Sequence, residues 1–87
     1  MFVVELVFGA DQERLAARPA HRERLQRLHE DGTLHMAGPF VDDSGALLIF
    51  DVPDEEALEG ILADDQYYGT PGVTVARRQQ WSPIVGA

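Results

Sequence analysis

The chain contains no cysteine and no lysine. The first absence excludes disulfides, thiol nucleophiles, zinc ribbons and iron–sulfur clusters. The second leaves arginine as the only strong cation. Seven arginines stand against fifteen aspartates and glutamates, for a formal charge of −8. So acidic a chain is a poor partner for nucleic acid, which needs clustered positive charge. No stretch approaches the ~20 apolar residues that cross a bilayer. The opening Met1-Phe2-Val3-Val4-Glu5 lacks a basic, signal-like region. The expectation is a cytoplasmic protein with neither nucleic acid nor membrane as partner.

The common catalytic signatures are missing too. There is no GxSxG, Walker loop, GxGxxG or HExxH. The two serines, Ser44 and Ser82, fall in turn and tail contexts. His21, His29 and His35 are not spaced as a local metal motif, so neither metal nor cofactor is expected. At 87 residues the chain is one domain, 1–87, with 82–87 read as a tail. A chain of this size buries only about 60–65% of its unfolded surface. Without disulfides, the expected extra stabilisation is a partner chain.

The residues that are present sort into six elements. Residues 2–8, Phe-Val-Val-Glu-Leu-Val-Phe, read as a strand that is apolar on both faces except at Glu5. Residues 11–31 read as helix, with Asp11 as N-cap and Gly32 as the left-handed residue after the end. Pro19 either kinks this helix or starts a second one. Residues 33–37 and 46–52 read as strands. Gly38-Pro39 closes the first, and Asp42-Asp43-Ser44-Gly45 turns between them. Asp54 caps a second helix whose Leu58, Ile61 and Leu62 make an apolar stripe. Residues 64–72 are irregular, and 73–81 form a last strand with Val73, Val75, Arg77 and Trp81 on one face.

The order β-α-β-β-α-β predicts an α+β ferredoxin-like sandwich, with a four-stranded antiparallel sheet and two helices on one face. The apolar outward positions of the strands predict a homodimer with the sheets face to face.

Three places carry chemistry. His21 shares a helix face with Leu25 and Leu28, so it points toward the sheet, and Arg18 lies one turn earlier. Asp64-Asp65 ends the second helix, where carboxylates oppose the helix dipole, and that placement hints at a role. Tyr67 and Tyr68 pack at the sheet edge or line a pocket. His29, at a helix end, reads as structural, and His35 as a surface or cleft-rim residue.

With these residues in view, the chain resembles the YCII-related (YciI-like) family. The match runs through Arg18-Pro19-Ala20-His21, Leu25, Leu28-His29, Gly32, Leu34 and Ala37-Gly38-Pro39. It continues through Ala63-Asp64-Asp65, Tyr67 and Gly72-Val73, and covers about residues 2–81. The resemblance implies a ferredoxin-like fold and dimerisation through the sheets, as in the dimeric α/β-barrel superfamily. It also implies a histidine–aspartate pair in a cleft, which by position is His21 and Asp65, with Gly38-Pro39 shaping the pocket. One relative is associated with dehydrochlorination of a chlorinated hydroxyquinol, and the superfamily holds muconolactone isomerases and cofactor-free monooxygenases. The chain departs from the family at Asp65-Gln66, where Asp-Pro is usual, and a looser turn is expected there.

The resulting expectation is a cofactor-independent lyase- or isomerase-type enzyme acting on a small molecule. His21 transfers the proton, Asp65 orients it, Arg18 pairs with an anionic group, and Gly38, Pro39 and Tyr67 contact substrate. The alternative is a non-catalytic small-molecule-binding or accessory dimer module.

Overall fold

A computed structural model describes residues 1–86. The elements are β1 (Phe2–Phe8), α1 (Glu13–Glu30), β2 (Leu34–Pro39), β3 (Gly45–Phe50), α2 (Glu55–Ala63), a short 3₁₀ turn (Gln66–Gly69) and β4 (Val73–Gln80). The strands form one antiparallel sheet in the order β2-β3-β1-β4. This is the expected ferredoxin-like α+β arrangement. Residues 81–86 carry no helix or strand, and Ala87 of the expected tail lies outside the described residues.

Strand alternation builds the core. Phe2, Val4 and Leu6 of β1, Leu48 and Phe50 of β3 and Leu34 of β2 turn to the helix side. There they meet Leu58 and Leu62 of α2 and Tyr67 of the 3₁₀ turn, with Leu25 and Leu28 of α1 packed against the cluster. The outward positions, Val3, Glu5 and Val7 on β1 and Leu47 on β3, face away from both helices. Val7, Met36 and Phe40 are exposed.

The ends of α1 follow from short-range hydrogen bonding. Gln12, not Asp11, occupies the cap position, and Asp11 instead accepts from the Glu13 amide at 2.9 Å. At the other end Thr33 N–H donates to Leu28 and Gly32 N–H to His29, with Gly32 at φ +88°. That pair of bonds is the glycine-dependent helix stop expected there. Pro19 neither starts a new helix nor ends the first: α1 runs through it. Proline costs α1 the hydrogen bond to the Leu15 carbonyl, and Leu15 lies exposed, where water can serve that group.

Two strand expectations need correction. Gly38-Pro39 is not a turn but the end of β2, with Gly38 opposite Leu47 and Pro39 opposite Ala46. The turn is carried by residues 40–44. In β4 the register shifts between the partners of Glu5 and Leu6, which leaves Ala76 as an extra residue. A bulge reverses the facing of everything beyond it. Arg77 therefore lies opposite Glu5 on the outer face, while Arg78 turns to the helices and pairs with Glu59 and Glu55. Trp81 falls beyond the strand end.

Candidate functional site

The side of α1 that faces the sheet changes character along its length. Leu25 and Leu28, in the second half, pack on the core. In the first half Arg14, Arg18 and His21 take the same side, spaced three and four residues apart. Arg14 and His21 are the residues of α1 that are buried. A cavity of about 700 Å³ lies between the first half of α1 and the sheet. Leu6, Ala46 and Leu48 make its apolar floor, and Gly38 and Pro39 line it from β2.

His21 is held on several sides. Its Nδ1 lies 2.7 Å from Asp65 Oδ2. The Tyr67 ring stacks on the imidazole at 3.9 Å between centroids and 6° between planes, and the Tyr68 ring meets it edge-on at 5.3 Å. A carboxylate only accepts, so the network assigns the Nδ1 proton to His21. Nε2 has no hydrogen-bond partner among the described residues, and it is not one of the sealed, unpartnered buried atoms. Burial holds the His21 pKa below its ordinary value; the bond to Asp65 opposes this, and Arg22 and Arg24 reinforce it. Burial thus favours the neutral imidazole, which carries its free lone pair on Nε2.

Asp65 is positioned by its own segment. Asp64 ends α2, but Asp65 starts the next turn: its Oδ1 accepts from the Tyr67 amide at 3.0 Å. The expected conflict with the helix dipole thus does not arise at Asp65. The same amide capture closes the turn with Gln66 after Asp65, helped by Thr70 Oγ1 donating to the Gln66 carbonyl at 2.9 Å. Arg24 Nε stands 4.0 Å from Asp65 Oδ2. Tyr68 is buried beside this carboxylate, and its phenol pKa is pushed well above the ordinary value, first by desolvation and then by Asp65.

The residues given site roles from the sequence reach this region, whereas Asp64 stays exposed at the end of α2. Arg18, His21, Gly38, Pro39 and Tyr67 line the cavity, and Asp65 stands behind His21. His29 donates from Nδ1 to the Leu34 carbonyl at 3.0 Å, which suits a structural role, and with His35 it also borders the cavity. Sequence reasoning missed Arg14 and Asp43, which form an ion pair at 3.0 Å on the cavity wall. The signal for Arg14 was its position, four residues before Arg18 and seven before His21. Nothing local marks Asp43 as its partner. Among the described residues no cluster of metal-ligating side chains occurs, and no helix is long and apolar enough to cross a membrane.

The family model described as YCII-related domain matches residues 1–81. No curated protein matches the chain.

Proposed function

We propose that this chain, which belongs to the YCII-related domain family, is a small-molecule enzyme of lyase or isomerase type that works by proton transfer at His21. The observation that carries the reading is the arrangement around one imidazole. Nδ1 is committed to Asp65 at 2.7 Å, the far oxygen of Asp65 is committed to the Tyr67 amide, and Nε2 is left uncommitted beside a cavity. A neutral histidine held in one tautomer by a carboxylate is a general base ready at neutral pH.

The step it supports starts with a substrate carbon made acidic by a neighbouring carbonyl. Nε2 takes the proton, and the C–H electron pair moves into the enolate. The new imidazolium is stabilised as its Nδ1–H bond to Asp65 becomes charge-assisted. In an isomerase the proton returns from Nε2 to a different carbon of the enolate. In a lyase the enolate pair instead expels an anionic leaving group from the adjacent carbon. Tyr67 keeps the ring from rotating, Arg18 meets a negative group of the substrate, and Gly38 and Pro39 contact its body.

Deuterium uptake from D₂O tests this without knowledge of the natural substrate. A panel of cyclic lactones and halogenated phenolic acids is incubated with the protein and read by NMR. Wild type should wash deuterium into at least one member. His21→Gln, which can still donate to Asp65, should wash in none while keeping its fold by circular dichroism. Exchange that persists in the folded variant refutes the role of His21. A panel that binds without exchange in wild type favours the ligand-binding module.

We also propose that a second copy of the chain covers the outer sheet face. Val7, Leu47 and Met36 make it apolar, and its one acid in the paired strands, Glu5, lies opposite Arg77. In a chain of charge −8, that is a region where two copies can meet without strong repulsion. Light scattering should give twice the 9.6 kDa of one chain, and Leu47→Arg should return it to one.

A further inference from the structure

We infer that the cavity takes a small organic carboxylate with an apolar, ring-sized body, that Arg14 binds its charged end, and that Asp43 is the internal counter-ion the ligand displaces. Arg14 is an unusual residue to find on the inner side of a helix. Its side chain is only 9% exposed, and its guanidinium stands over the Phe8 ring at 4.1 Å. One terminal nitrogen donates to Asp43 at 3.0 Å, while the buried Nε has no acceptor among the described residues. A buried donor left unpaired costs stability. Guanidinium is suited to a two-point grip on a carboxylate, and Asp43 supplies only one of the points.

Asp43 is placed to give way. Its side chain is 55% exposed, and it sits in the 40–44 turn at φ +59°, with Arg14 as its ion-pair partner. Losing the pair returns a carboxylate to water and leaves no buried charge on that side. A ligand carboxylate that takes both terminal nitrogens of Arg14, of which Asp43 holds one, gains more than Asp43 provides.

The surroundings favour the same ligand. Arg18 and Arg22 also line the cavity and make no ion pair among the described residues, and Asp43 is the one acid in the lining. The cavity is thus a positive site in a chain of charge −8, which concentrates anions there. The floor of Leu6, Ala46 and Leu48 supplies the apolar contact. Arg14 and His21 are two helical turns apart, about 10 Å along the axis. With a hydrogen bond at each end, that spacing fits a body of about one ring between the carboxylate and the carbon that meets Nε2. The placement of the reacting carbon rests on the acid–base reading of His21; the anion site does not.

Calorimetric titration of the full chain with benzoate and with neutral benzamide, at low salt, tests the inference. Benzoate should bind at least about tenfold more tightly than benzamide, a difference of roughly 1.4 kcal/mol. Asp43→Asn removes the competing charge from an exposed side chain and should tighten benzoate by about three- to tenfold. Arg14→Gln should weaken it by about tenfold or more. Equal affinity for benzoate and benzamide overturns the inference, as does an Asp43→Asn variant that binds benzoate no better than wild type. Failure to bind benzoate at about 10 mM also overturns it. Deuterium exchange reads His21 and this titration reads Arg14, so exchange without benzoate preference contradicts the anion site alone. Benzoate preference without exchange contradicts the acid–base reading alone.

Discussion

The two helices lie on the same face of one sheet and bury opposite kinds of side chain. α2 turns Leu58 and Leu62 into the core, each with almost no exposure. α1, twice as long, buries an arginine and a histidine. Apolar burial on α2 displaces water from both sides of a tight contact, so it stabilises the fold directly. Polar burial on α1 gives up that gain over two turns and borders the cavity instead. A small domain has little stability to give up. The first half of α1 is therefore explained by what the cavity does, and α2 by what holds the sheet.

Substitutions on the two helices sharpen this contrast, and the largest effect belongs to α2. Leu58→Ala leaves a void among fully buried neighbours and should lower unfolding free energy by about 2–5 kcal/mol. Urea denaturation reads this, and a loss under ~1 kcal/mol would mean that α2 is not the stabilising helix. The binding of small acids should be little changed in that variant below its unfolding temperature.

Asp65→Asn is the intermediate case. It replaces a charge-assisted acceptor by an amide, at a cost of about 1–2 kcal/mol. An Asn amide turned toward Nδ1 donates, which moves the His21 proton to Nε2 and removes the free lone pair. Deuterium exchange should vanish while most of the stability remains. A variant that is folded and still exchanges would separate Asp65 from the chemistry.

The smallest effect is on pH dependence. Burial lowers the His21 pKa, so the unfolded chain takes up a proton before the folded one as pH falls. Stability should therefore drop below about pH 6.5, the ordinary histidine value, and level off once the folded value is passed. The carboxyls of Asp31 and Asp42 are held low by hydrogen bonds from Thr33 and Ser44. They add the same sign of dependence, but only below the ordinary aspartate range. Urea midpoints between pH 8 and 5 check this: wild type should slope and His21→Gln should be nearly flat. Equal slopes would show that His21 is not the group responsible.

Much of the fold and part of the site were legible in the sequence, for physical reasons that differ by residue. β1 is a continuous β-branched and aromatic run, α2 carries a clear apolar stripe, and Gly32 ends α1 by a local backbone requirement. His21 and Asp65 were legible as a pair through the family resemblance, since 44 residues separate them. Arg14 and Asp43 belong to the same class of long-range contact, at 29 residues, but no motif joins them. The bulge at Ala76 inverted the reading of Arg77, because a strict period of two has no room for one extra residue. Asp65 looked misplaced only while it was assigned to the end of α2; as the first residue of the next turn it has a local hydrogen-bonding partner. Pro19 was ambiguous because its effect depends on whether the freed Leu15 carbonyl can reach water, which is a property of the packed helix.

The chemistry at His21 turns on one proton. Nitrogen NMR of His21 at pH 7, resolving its two ring nitrogens, locates that proton directly. The arrangement described above predicts a neutral ring with the proton on Nδ1 and a bare Nε2 facing the cavity. A proton on Nε2 at that pH, whether as the other tautomer or as imidazolium, would contradict it.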